Sequence, residues 1–292
     1  MDISQTIKEK RPNLSDNSIK TYKSILSNLY KKCYPYDKEI DIKRFDNTEC
    51  ILFHLKEVPF SKRKTTLAAL VVITGNTDYT KLMTEDIKLY NDNQLLQKKE
   101  GKFENMIPIN EVEIILKNLE KDAKLIYKKA SLDMSDLQKI QNYILLALTG
   151  GIYQAPRRSL DFVMKFKNYD GNTQNYIDMK KKVFVFNNYK TAKSNGAQII
   201  PIVKPLLAIL KKWISILPES QDYLLFDGKG GALQPSQITH RLNNIFGKPI
   251  STSMLRHIYL SSKFSNIDLK DLTDTATAMG NSPMVALEYV KK

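Results

Sequence analysis

A mainly helical, α+β chain in two parts is what this sequence predicts, on three observations. Apolar residues recur at helical spacing through most of its length. Three short β-type runs cluster between 162 and 202. The periodicity fades over NDNQLLQKKEGKFENMIP at 91–108, where charge, Asn and Gly accumulate before Pro108. That fade places a helical domain at 1–95, a linker at 96–105 and a second domain at 106–292. At 292 residues the chain can bury two cores.

In the first part, Ser15 or Asp16 can cap a helix in which Ile19, Tyr22, Leu26, Leu29 and Tyr30 form one stripe. Further helices are expected at 46–57, 62–73 and 80–96. The second part opens with helices at 110–129 and 135–149, the latter ending in YILLALTGG, whose glycines suit a helix terminus. The runs FVMKF at 162–166, KVFVF at 182–186 and QIIPI at 198–202 read as strands. The gaps between them are too short for helical crossovers, so a small antiparallel sheet is expected. Helices return at 204–217, 235–246, 251–264, 268–278 and 283–291.

The formal net charge is +14, with lysines spread along the chain, which favours a polyanionic partner, nucleic acid first. The same lysines fit a Lys- and Asn-rich composition with no such partner, so charge alone does not decide. The two cysteines, Cys33 and Cys50, lack metal-ligand spacing; neither a disulfide scaffold nor a zinc site is expected, and a reducing intracellular compartment is. No apolar run approaches membrane-spanning length and the start lacks a signal-peptide core, so no membrane partner is expected. His54 and His240 carry no motif.

Candidate chemistry sits at four places. In TSMLRHIYL, Leu255, Ile258, Tyr259 and Ser262 can face inward, while Ser253 and Arg256, three apart, share another face on which a guanidinium and a hydroxyl could meet a phosphate. In TGGIYQAPRRSLDF, Pro156 reads as a turn or helix start, placing Arg157 and Arg158 near a helix N-terminus; Asp161, three after Arg158, could hold its guanidinium. Both patterns also fit arginines paired with carboxylates on a surface. The loop of FNNYKTAKSNGAQIIPI carries Lys190 and Lys193 on a hairpin tip. Last, Ser282 and Pro283 can start a short helix whose face includes Val285 and Tyr289. A core tyrosine anchoring a terminal helix has the same pattern.

The order Arg, hairpin Lys, helix Arg, terminal Tyr resembles that of the tyrosine recombinases, the phage-integrase family, over most of the chain. The matching residues are Arg158 with Asp161; Lys190, with Lys193 as alternative; Ser253-Met254-Leu255-Arg256-His257 for a His-x-x-Arg-His helix; and Gly280, Asn281 and Ser282 followed by Tyr289. Ser253 and Asn281 stand where the family usually has histidine, or at the second position histidine or tryptophan. The first part resembles the family's helical, SAM-like core-binding domain.

The resemblance implies a site-specific recombinase, a viral or mobile-element integrase, clamping double-stranded DNA as a homo-oligomer, a tetramer, with no cofactor and no metal. Tyr289 would be the nucleophile that forms a 3′-phosphotyrosyl bond, Arg158 and Arg256 the electrostatic stabilisers, Lys190 the proton donor to the leaving oxygen, and Ser253 and Asn281 phosphate donors. Arg157, Asp161 and His257 would support them. In a viral setting the compartment would be the cytoplasm or nucleus of a host. Lys62, Arg63 and Lys64, with Lys180, Lys181 and Lys182, are expected to contact DNA phosphates. Only Val290, Lys291 and Lys292 follow Tyr289, so assembly is expected to use surfaces other than a helix passed on beyond it. Alternatives are a relative that binds DNA without cutting it, a type IB topoisomerase-like enzyme, and a basic architectural protein.

Overall fold

The computed structural model describes residues 2–95, 104–264, 269–287 and 289. The chain divides into two compact units, Met1–Lys99 and Glu100–Lys292. Most of the expected linker, residues 96–103, lies outside the described residues.

The first unit is helical among its described residues: α1 (Ile3–Lys10), α2 (Asp16–Cys33), a 3-10 turn (Ile42–Asp46), α3 (Thr48–Leu55), α4 (Phe60–Thr74) and α5 (Thr77–Leu95). The Ser15 hydroxyl accepts from the Ser18 amide and caps α2, whose Ile19, Leu26, Leu29 and Tyr30 are buried as the stripe predicts. α4 buries Leu67, Ala69, Leu70 and Ile73, and it packs against α1, α2 and α5, the central helix of this unit. Helix α1 was not foreseen; its Asp2 cap and Ile3 and Ile7 are buried or bonded locally, in a stretch dominated by charge.

That packing decides the fate of the SKRK stretch. Arg63 forms a two-pronged ion pair with the fully buried Asp86 of α5, Nε to Oδ2 at 2.9 Å and Nη2 to Oδ1 at 2.8 Å. Its Nε and Nη2 donors are thus engaged in holding α4 on α5. The Lys64 ammonium lies over the Tyr90 ring, and burial pulls its pKa below the ordinary lysine value. Lys62 is exposed.

The second unit begins with α6 (Ile109–Ile126) and α7 (Met134–Thr149), the latter buried continuously from Tyr143 to Thr149. A 3-10 turn (Ser159–Phe162) leads into a four-stranded sheet of β1 (Met164–Lys165), β2 (Asn175–Asp178), β3 (Val183–Phe186) and β4 (Gln198–Pro201), in that order. β2–β3 and β3–β4 are antiparallel, but β1 pairs in parallel with β2, so the sheet is mixed rather than purely antiparallel. The parallel pair is only Met164↔Asn175 and Lys165↔Tyr176. A two-residue strand needs no helical crossover, because the chain returns through a loop closed on the Asp170 carboxylate. The loop between β3 and β4 includes the short helix α8 (Ala192–Asn195).

Among the described residues five helices follow: α9 (Lys204–Ser215), α10 (Pro235–Phe246), α11 (Thr252–Lys263), α12 (Leu269–Ala278) and α13 (Pro283–Leu287). The main core contains α6, α7, the sheet and α9–α10, with Trp213 fully buried and its indole N–H given to the Leu224 carbonyl at 2.9 Å. A second, small core of Leu260, Phe264, Leu272, Ala276, Met279 and Ala286 joins α11, α12 and α13, and Tyr259 and Tyr289 pack on it. This small core sets where Tyr289 lies. No helix among the described residues is long and apolar enough to cross a membrane.

Candidate active site

Helix α11 starts at Ser251, whose hydroxyl caps the Met254 amide. From Met254 to Ile258 every residue is buried, Arg256 completely. The inward face therefore includes Arg256 and His257, while Ser253 and Ser262 are exposed. This reverses the expected sorting: Ser262 is not in the inward stripe, and Ser253 does not share a surface with Arg256. The buried hydroxyl at this end is Thr252, paired with Ser159 at 2.8 Å.

A buried guanidinium ordinarily has a carboxylate partner. Among the described residues Arg256 has no ion pair; Nη1 donates to the Tyr289 phenol oxygen at 3.2 Å, and Nε and Nη2 are buried with no protein acceptor. Its carbon centre sits 4.6 Å from the Tyr289 ring centroid. Burial, with the like charge of Arg158 adding to it, pulls its pKa down to about 10, which leaves it charged at neutral pH.

Tyr289 is held from both sides. Its carbonyl accepts from His257 Nδ1–H at 3.0 Å and from the Ser261 hydroxyl at 3.3 Å, and the His257 ring stacks on the phenol at a centroid distance of 4.3 Å. The contact to a carbonyl fixes the proton on Nδ1. Tyr289 lies in a turn beyond α13, its amide bonded to the Ala286 carbonyl at 3.0 Å, rather than on the helix face with Val285. The Ser282 hydroxyl does accept from the Val285 amide, as a helix start requires.

The paired arginines separate clearly. Arg157 is buried, with Nε on Asp161 Oδ2 at 2.8 Å, Nη1 on the Gln198 side chain at 2.8 Å and on the Ala278 carbonyl at 2.6 Å, and the Phe186 ring 4.0 Å away. Asp161 thus holds Arg157, not Arg158, because the turn after Arg158 brings the carboxylate back beneath residue 157. Burial pushes Asp161 up and Arg157 down in pKa against their mutual attraction, the signature of a pair paying heavily for desolvation. Arg158 is half-buried and points the other way in bonding, with Nη2 on Asn281 Oδ1 at 2.8 Å and Nη1 on the Gly280 carbonyl at 3.3 Å. This fixes the Asn281 amide so that Nδ2 is a buried donor, and it too lacks a protein acceptor.

Two glycines make these approaches possible. Gly151 has φ +81°, and a Cβ there would lie 2.8 Å from the Tyr259 ring. Gly280, at φ +68°, would place a Cβ 3.1 Å from Arg157 Nη2. Tyr189 packs at the same turn and ties its hydroxyl to the Gly196 carbonyl at 2.8 Å, closing the β3–β4 loop. Lys190 follows Tyr189 directly; Lys190 and Lys193 are both exposed.

Tyr289, Arg256 and His257 form one set of contacts, and Arg158 with Asn281 another, with the Arg158 charge felt at Arg256; Arg157 is tied to Asp161. Ser253 is not among the groups bonded to them. Sequence reasoning missed Gln198, Ser261 and Tyr189, which have no motif around them, and the glycine before Asn281 was the available signal for the tight turn. Lys180, Lys181 and Lys182 are all exposed on the β2–β3 turn.

No protein-family model matches the sequence, and no curated protein matches it. Among solved structures the chain is similar to a XerA recombinase, at 14% identity and a TM-score of 0.43, covering 99% of this chain and 92% of that one. It is similar also to a lambda integrase (75–356) dimer bound to a COC' core site, at 12% identity and a TM-score of 0.47, covering 96% and 90%. Neither likeness assigns a role to a residue of this chain.

Proposed function

We propose that the chain is a DNA-cutting and -rejoining enzyme of the tyrosine recombinase type, acting through a covalent 3′-phosphotyrosyl intermediate. The observation that supports this most is Arg256: a buried guanidinium that touches the Tyr289 hydroxyl, has two donors without a protein acceptor, and among the described residues has no carboxylate in an ion pair with it. Such a set suits an anion with several oxygens, and a phosphodiester beside a phenol is set up for transesterification.

In this reading the Tyr289 oxygen attacks phosphorus and its proton passes to water. The bond from phosphorus to the 5′ oxygen breaks, and that oxygen takes a proton from Lys190. Arg158, Arg256 and the Asn281 amide hold the equatorial oxygens, where negative charge grows. Reversal by another 5′ hydroxyl rejoins strands without ATP, since the phosphotyrosyl bond keeps the phosphodiester energy. His257 acts as a positioning residue through the Tyr289 carbonyl.

The helical unit, with Lys62, and the β2–β3 turn, with Lys180, Lys181 and Lys182, would contact phosphates, and a homo-oligomer on duplex DNA would perform the exchange. Integration of a viral or mobile element is the setting that the sequence resemblance suggests. A second reading, a relative that binds DNA without cutting it, is favoured by one observation: Ser253 is exposed and unconnected to the cluster. Incubation with duplex carrying a nick just beyond the scissile phosphate decides between them. The enzyme accumulates a denaturant-resistant protein–DNA adduct; the binder shifts DNA and forms none.

A further inference from the structure

We propose that Cys33, Cys50 and His54 in the helical unit form a binding site for a borderline-soft divalent cation, zinc above all. Cys33 is the last residue of α2, and Cys50 and His54 lie four apart on one face of α3, which packs on α2. One sulfur from each cysteine and a ring nitrogen of His54 lie within 4.8 Å of one another, and all three residues are half-buried. Around a tetrahedral ion with Zn–S near 2.3 Å and Zn–N near 2.0 Å, neighbouring donors stand about 3.3–3.8 Å apart. Small side-chain rotations close the remaining gap.

Both cysteines of the chain and one of its three histidines meet at this one place. Cysteines that merely fill a core have no need of an imidazole beside them. Two thiolates and an imidazole select zinc over magnesium or calcium, which prefer oxygen donors. On binding, the thiols give their protons to solvent, and the fourth tetrahedral position falls to water, so the site is weaker than a closed four-ligand one. The ion would clip the end of α2 to α3. The spacing hid this, because Cys33 and Cys50 are joined only through the intervening 3-10 turn and the histidine partner carries no sequence signature.

The test uses the reduced, metal-free, full-length chain with its affinity tag removed. Titration with Co²⁺ should saturate at one equivalent, with thiolate-to-metal charge-transfer absorption and the visible bands of a tetrahedral ion, and zinc should displace them. Zinc should also raise the unfolding temperature. Cys50→Ser and His54→Ala should each weaken binding by at least about tenfold, while circular dichroism of the metal-free variants matches the parent. If Cys50→Ser does not fold, His54→Ala and His54→Gln serve alone. No saturable zinc binding, or equal affinity in the variants, overturns the proposal. So does a reduced chain that forms a Cys33–Cys50 disulfide readily yet binds no zinc. None of these readouts depends on DNA cleavage.

Discussion

At Arg256 the chain buries a guanidinium with two donors unpaired by protein, each costing about 1–3 kcal/mol, and sets it against a second arginine. The contacts with Tyr289 and the field of Asp161 offset part of that cost, and under the proposed function the remainder prepares the site for an anion. Arg256→Met keeps length and removes the charge; the expected outcome is an unfolding temperature equal to or above the parent's, with adduct formation down by about two orders of magnitude or more. Thermal unfolding and single-turnover adduct assays on one preparation check both halves. Arg157 and Arg158 should behave as opposites. Arg157→Ala strands Asp161 in the core and should cost about 3–5 kcal/mol of stability, measured by urea unfolding of the variant. Arg158→Ala should leave stability nearly unchanged and abolish the adduct. The sequence offered both arginines and the acid but not their pairing, because an i,i+3 or i,i+4 choice inside a 3-10 turn depends on backbone geometry that residue types do not encode.

The element that carries Tyr289 is short: α13 and one turn, seated on the small apolar core and clasped through the Tyr289 carbonyl. His257→Ala should slow adduct formation by about tenfold while DNA affinity stays as it is, and His257→Asn, which can still donate to a carbonyl, should restore part of the rate. A purely structural histidine would show equal loss in both variants and a lower unfolding temperature. Caps and helical stripes made α2, α7 and α9–α11 legible in advance. β2 was not, because its NYID sits in a polar stretch where only alternating burial, Asn175 and Ile177 in, marks a strand. The buried face of α11 was misread for a related reason: a helix wheel assigns charged residues outward, and here Arg256 is fully buried with Nη1 on the Tyr289 phenol.

Over the whole molecule, a net charge of +14 and exposed lysines at 62, 180, 181 and 182 predict binding dominated by phosphate contacts. Affinity for duplex should fall log-linearly with salt, and replacing Lys180, Lys181 and Lys182 together by Gln should flatten the slope; fluorescence anisotropy across a salt series reads this. Arg63→Ala should instead unfold the helical unit through loss of the Asp86 pair before any change in slope is seen. The polar stretch at 91–108 is a local loss of periodicity, and the boundary between the two units, after Lys99, falls within it. The meeting of Cys33, Cys50 and His54 was not legible in the sequence, since it is made by tertiary packing alone.

The central claim is that Tyr289 carries the DNA, and its most direct measurement is peptide mapping of the adduct trapped on nicked duplex, with Tyr289→Phe run beside the parent. The expected result is DNA attached within the segment after Met279 in the parent, and no adduct in the Phe variant, which removes one oxygen and should bind DNA with the parent's affinity. Attachment at another tyrosine, such as Tyr259, or an adduct undiminished in Tyr289→Phe, would contradict the account.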